Sequence, residues 1–153
     1  GVGQAAQPLL SANFGAGNRE RIRRTLAYSL ATALLLAFLW CAAIALAPNA
    51  FMRVFTRPTP ALLAQAPDIL RVYSLAFLAL PLNVMSTYCF QSVCRPRAAF
   101  VVSLARGLVL PVALLYILPH VWGGAALWSA IPLAEFLVAA GIALSLLPSR
   151  HTH

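Results

Sequence analysis

The chain has no lysine, and its 153 residues include only three acids (Glu20, Asp68 and Glu135), three cysteines and three histidines. Charged residues make up 9% of the chain, against about 25% in soluble domains, so there is too little charge to coat a water-soluble fold of this size. All eleven basic side chains are arginines and the net charge is +8. A nucleic-acid partner would need those arginines on one face of a soluble fold, and the apolar runs leave no such fold. Cys41, Cys89 and Cys94 lie in or beside apolar segments, where a thiol behaves as a small hydrophobe, and an odd count gives no disulfide framework. His120, His151 and His153 are not near an acid in sequence and show no metal-ligand spacing. His151 and His153 read as a solvated tail. The expectation is no metal, no cofactor and no enzyme. The opening Gly1-Val2-Gly3-Gln4-Ala5-Ala6 formally fits a dinucleotide fingerprint, but no strand precedes it, so that match is rejected.

What the chain does have is hydrophobic length: 61% of residues are hydrophobic and the mean hydropathy is +0.84. A helix needs about 20 mainly apolar residues to cross a bilayer core about 30 Å thick. Leu26–Ala47 (22 residues) and Val72–Cys94 (23 residues) meet this with no charge, the second with a kink expected at Pro81. Ala98–Leu118 carries Arg106 and Pro111, and Gly123–Leu147 carries Glu135 and Pro132. The Leu118-Pro119-His120 break and the Gly123-Gly124 pair separate these two. Gly1–Gly15 supplies half a span. The predicted fold is all-α: a polytopic transmembrane helix bundle with four complete spans and a partial N-terminal span. The chain begins at Gly1 without a signal-peptide pattern and reads as a fragment.

Cytoplasmic loops of membrane proteins carry the basic excess. Arg19, Arg21, Arg23 and Arg24 sit in the first loop, Arg95 and Arg97 in the third, and Arg150 in the tail, whereas Arg53, Arg57 and Arg71 lie on the other side with Asp68. The first and third loops and the C-terminus are therefore expected in the cytoplasm. The loop Pro48–Arg71 is the longest, and Thr59-Pro60 resembles an N-cap and first-turn proline leading into the second complete span.

Glu135 lies near the bilayer midplane, where an acid costs on the order of 2.5–3.5 kcal/mol on insertion scales. One reading is a cation-coupled carboxyl that alternates between protonated and charged forms; the other is a protonated acid hydrogen-bonded to a neighbouring helix. Arg106, about eight residues into its span, is expected to snorkel to the cytoplasmic interface. The alternative is a carboxylate on a helix outside this chain, Glu135 being placed at a different depth. Gln4, Gln7 and Ser11 follow i, i+3, i+7 spacing on one helix face, which points at protein or a water-filled cavity. Asn83, Ser86, Thr87, Tyr88 and Gln91 gather in the cytoplasmic half of the second complete span, where interhelical hydrogen bonds average about 0.6 kcal/mol each.

Gly3-Gln4, Gln7-Pro8-Leu9-Leu10-Ser11, Asn13 and Gly15-Ala16-Gly17-Asn18-Arg19-Glu20-Arg21 together resemble a signature of the multidrug and toxic compound extrusion (MATE) transporters. In that family the motif ends the second helix of each six-helix half. Gly123 to Phe136, with Trp128, Pro132 and Glu135-Phe136, resembles the family's last helix.

The resemblance implies that residues 1–153 are the C-terminal lobe of such a transporter without the lobe's first helix, an N-terminal lobe being missing. It implies a bacterial inner-membrane antiporter coupled to H+ or Na+ that exports drugs or toxic organic cations. Gln7, Asn83, Tyr88 and Glu135 are the candidates for lining the pathway. The family's coupling acids stand on the first and fourth helices of the C-terminal half, and the fourth-helix counterpart here, Val72–Cys94, holds no acid. The alternatives are a lipid-linked oligosaccharide flippase of the same superfamily, for which a more basic cavity is expected, and a non-transporting membrane fragment.

Overall fold

The computed structural model describes residues 1–55 and 59–146; Arg57, Arg150, His151 and His153 lie outside the described residues. Among the described residues every regular element is helical: α1 (Val2–Gly15), α2 (Arg19–Leu46), α3 (Pro48–Phe55), α4 (Pro60–Ser74), α5 (Ala76–Ser92), α6 (Pro96–Leu104), a π turn (Ala105–Val109), α7 (Leu110–Trp122), a 3-10 turn (Gly124–Ser129) and α8 (Ala130–Leu146). Arg19–Leu46, Ala64–Ser92, Pro96–Trp122 and Gly124–Ser145 are long and apolar enough to cross a membrane. With the 14-residue α1 they give the expected four spans and a partial one.

Three boundaries differ from the sequence reading. The second complete span begins at Ala64, so most of the expected long loop is helix, in α3 and α4. Pro60 does start α4, where its missing N–H costs nothing. The charges this helix carries are matched at the bundle end: Arg71 pairs with Asp68 at 3.4 Å, and its Nε donates to the carbonyl of Ala45 at 3.3 Å. That carbonyl belongs to the last turn of α2, whose acceptors have no intrahelical donor. Second, α5 runs through Pro81 and the break falls at Leu75. Proline crowds the carbonyl four residues before it, and the chain relieves this upstream with tighter bonds, Leu75 N to Val72 O and Leu78 N to Leu75 O. Third, α7 runs through Pro119 and stops at Gly123, whose φ of 84° suits glycine and ends the helix.

The turn between α1 and α2 explains the motif residues. Gly17 takes the left-handed conformation, with φ of 68°. The backbone N–H of Asn18 donates to Asn13 O at 2.9 Å, and Asn18 Oδ1 caps α2 by accepting from the Arg21 N–H at 3.1 Å. Glu20 in the first turn pairs with Arg24 at 2.6 Å, an acid placed at the positive end of the helix.

Helix α5 is the centre of the bundle, packing against α1, α2, α6 and α8. The outer faces are apolar, as on α2, where Leu35, Phe38 and Leu39 are exposed. Tyr116, Trp122 and Trp128 are exposed around the Gly123 turn, the interfacial position aromatic side chains favour. On α1 the packed face is Gly3, Ala6 and Leu10, and Leu10 and Ala6 meet Met85 of α5 with Ile22, Leu26 and Leu30 of α2 around them. Gly3 lies flat on the ring of Tyr88, where a Cβ would fall 2.7 Å from Tyr88 Cε2 and closer still to Cδ2.

A side chain at position 3 must therefore displace that ring. Gly3→Val is expected to destabilise the bundle by about 1–3 kcal/mol, the usual cost of overpacking. Combining it with Tyr88→Ala should recover part of the loss, as measured by denaturant unfolding of the purified protein in detergent.

Candidate functional site

Glu135 stands on α8, Asn83 on α5 and Arg106 in the π turn between α6 and α7. Asn83 is fully buried and Glu135 is 8% exposed. The Asn83 amide nitrogen donates to the Glu135 backbone carbonyl at 2.8 Å and to its Oε2 at 2.6 Å. An amide nitrogen carries two hydrogens, so both are used, and this fixes which end of the amide faces Glu135. Arg106 Nη1 lies 3.5 Å from the other carboxylate oxygen, Oε1. Two buried polar atoms, Asn83 Oδ1 and Arg106 Nε, have no hydrogen-bond partner among the described residues.

The ion pair corrects the expectation that Arg106 snorkels away from Glu135. Span three starts at Pro96 and span four at Gly124, so the two residues are ten and eleven positions into antiparallel helices. At about 1.5 Å per residue both lie about 15 Å deep, from opposite ends. The π turn also sets direction. In regular α geometry Pro111, which is buried on α7, would sit about 140° around the axis from Arg106; the wider turn brings both toward the bundle. At an effective dielectric of about 20, charges 3.5 Å apart attract by on the order of 4–5 kcal/mol before desolvation. That attraction and the Asn83 hydrogen bond to Oε2 together offset the burial of the acid.

Of the four residues expected to line a pathway, the structure brings Asn83 and Glu135 into direct contact. Gln7 and Tyr88 lie apart from them, on the α1–α5 seam. Gln7 is half-buried; its Nε2 donates to Gln91 Oε1 at 3.5 Å, and its backbone carbonyl accepts from Ser92 Oγ at 3.4 Å. Gln4 and Ser11 are exposed. A cleft of about 350 Å³ between α1, α2 and α5 is lined by apolar groups including Gly3, Ala33, Trp40, Pro81 and Met85, and by none of the four. Among the described residues no group of three or more His, Cys, Asp or Glu is placed to hold a metal. Sequence reasoning missed Arg106 as the partner of Glu135, and the signal that reveals it is span depth counted from Pro96.

The family model described as MatE matches residues 1–117. Among solved structures, the MATE multidrug transporter DinF-BH, determined with a bound dye, superposes at a TM-score of 0.86 with 26% identity, covering 97% of this chain and 33% of that one. A MATE in complex with MaL6 gives 0.84 with 20% identity, covering 91% and 32%. An outward-facing multidrug resistance MATE family transporter of the MOP superfamily gives 0.83 with 20% identity, also covering 91% and 32%. The chain thus spans about a third of the length of the structures it matches. Comparison with curated proteins returned no match.

Removing the Asn83 amide takes one donor from the Glu135 carbonyl and one from its carboxylate, leaving Arg106 beside the latter. Asn83→Ala is expected to cost about 1–3 kcal/mol and to loosen α5 from α8, read as a lower unfolding midpoint in detergent and faster cross-linking between cysteines introduced on the exposed faces of the two helices.

Proposed function

Because this chain belongs to the MatE family, we propose that it is the C-terminal lobe of a cation-coupled antiporter that exports amphipathic or cationic small molecules. Its fold is that of MATE multidrug transporters, which are transporters rather than enzymes. One observation carries the coupling part of the reading: a carboxylate buried at mid-span, held by Asn83 of α5 and facing Arg106 of the third complete span. Ionisable residues at that depth mark ion and substrate pathways by default, because the membrane makes them costly to keep. Export of small molecules is supported by the structural neighbour that holds a dye. Alternating access would rock this lobe against a second one around a fixed central site. The arginine distribution favours an inner-membrane orientation with the α1–α2 and α5–α6 turns and the C-terminus in the bacterial cytoplasm. A flippase for lipid-linked oligosaccharide would call for free positive charge inside the bundle, and Arg106 is already engaged by Glu135.

The test is ethidium efflux from cells carrying the protein with whatever residues precede Gly1 in its gene, with Glu135→Gln compared at equal protein level across external pH and sodium. The expected outcome is a loss of pH- or sodium-dependent efflux by about tenfold or more, the scale set by removing a coupling interaction of about 1.4 kcal/mol. Undiminished, still ion-dependent efflux would reduce Glu135 to a packing residue.

A further inference from the structure

Two hollows meet beside the α5–α6 turn, where both are lined by Arg97 and Ala98. The first, about 390 Å³, is bounded by Cys94, Arg95, Pro96, Arg97 and Ala98. The second, about 410 Å³, is a groove between α5, α6 and α8, with Phe90, Val101, Val102, Gly141 and Ile142 along it. Ser145 lines it too, but its hydroxyl already donates to the Ile142 carbonyl at 2.7 Å, so the wall beyond Arg97 is apolar. From Arg97 to Val102 the groove descends about 8 Å, at about 1.5 Å per residue, which is about half of one leaflet of a hydrocarbon core about 30 Å thick. Arg97 is the second residue of its span and, like Arg95, is exposed, so both stand at the depth of lipid phosphates. Charge narrows what fits there. The three acids of the chain are each paired with another arginine, Glu20 with Arg24, Asp68 with Arg71 and Glu135 with Arg106, which leaves no side-chain carboxylate of this chain for Arg95 or Arg97. A hollow within hydrocarbon is filled, because atoms facing a void forfeit their dispersion contacts. The occupant must therefore be apolar along the groove and negative at its mouth.

We propose that this continuous hollow seats one phospholipid with an anionic headgroup, its phosphate against Arg95 and Arg97 and one acyl chain along the groove between α6 and α8. Basic pockets between spans at the membrane surface take anionic headgroups, and here the seat for the chain begins directly below the two charges. A protein segment laid in the groove would have to bring its own acid to the mouth, whereas a lipid carries charge and chain together. The site is separate from the export reading and does not depend on what the lobe transports. A lipid held there bridges the first turns of α6 and the last turns of α8, so the spacing of those two helix ends follows the lipid composition of the membrane.

The experiment reads the rate at which a neutral, water-soluble maleimide labels Cys94, the exposed cysteine in the headgroup hollow, by peptide mass spectrometry of the purified full chain in detergent. Dioleoyl phosphatidylglycerol, dioleoyl phosphatidylcholine or glycerol 3-phosphate is titrated in, and each protein is referred to its own lipid-free rate. Phosphatidylglycerol should slow labelling, half-saturating at a lipid fraction about tenfold or more below that of phosphatidylcholine. One arginine near an anionic headgroup is worth about fivefold in affinity, so Arg95→Gln/Arg97→Gln should raise the half-saturating fraction about thirtyfold. Arg23→Gln, a change to an exposed arginine at the same end of the bundle, should alter it little. Gly141 opens onto the groove, and a Cβ there would meet no atom within 4 Å. Gly141→Leu should therefore fill the seat without straining the bundle and weaken protection several-fold with both arginines in place. Equal protection by the two lipids, or by glycerol 3-phosphate alone, would overturn the proposal. So would full protection in Gly141→Leu, or an Arg23→Gln effect as large as that of the α6 pair, which would make the attraction one of general surface charge. A wild-type protein whose Cys94 no lipid protects would mean that protein, not lipid, covers the groove, and would overturn it as well.

Discussion

A carboxylate at the centre of a bilayer must be given partners by the protein, because lipid offers none, and Glu135 receives them from two other spans. Asn83 binds both its backbone carbonyl and its carboxylate, tying α8 to the central helix, while Arg106 reaches it from the π turn. Three of the four complete spans are thus held in register by one acid. An unsatisfied polar group in hydrocarbon costs several kcal/mol, so sliding any one of the three helices by a turn would strand a charge or an amide. The apolar contacts around this joint fill space; the joint decides which spacing is allowed.

Elsewhere the bundle depends on closeness rather than charge. Lipid tails are as apolar as leucine, so burying leucine between helices gains little there, and association relies on packing and small residues. Gly3 and Ala6 let α1 lie against α5, close enough for Gln7 to meet Gln91 and Ser92. At the far end of the bundle, the rings of Trp40 and Phe51 meet edge to face at 5.4 Å, and Arg71 bridges α4 to the end of α2. The short α3 is held between these contacts where the spans reverse direction.

The number and type of spans were legible because apolar runs of about 20 residues have few other uses. Glu135 stood out for the same reason, as an interruption of such a run. Its partner did not, because the third span was counted from Ala98, after Arg95-Pro96-Arg97; Pro96 is itself the first helical residue, and starting two residues late misjudged the depth of Arg106. Pro119 was over-read as a break: it lies inside α7, which ends at Gly123, where backbone freedom exists, and the irregularity expected at Pro81 falls upstream, at Leu75. On α1 the polar stripe Gln4–Gln7–Ser11 drew attention, yet the packed stripe is one residue earlier, Gly3–Ala6–Leu10. Spacing alone does not rank two faces when small residues, not large ones, mark the contact.

The π turn in the third complete span has a consequence for how that segment is inherited. A widened turn holds residues that a regular helix would have no place for, so α6 and α7 are two helices joined out of phase within one rod. Ala99 faces the bundle by the phase of the first, Pro111 and Leu118 by the phase of the second. Shortening the gene by a single codon anywhere in 105–109 would restore regular winding and keep the span apolar and long enough. The two halves would keep their inward faces within about 20° of each other, because eleven regular steps would then separate Ala99 from Pro111. Hydropathy would register no change and neither would the packed faces; the widened turn alone would be lost.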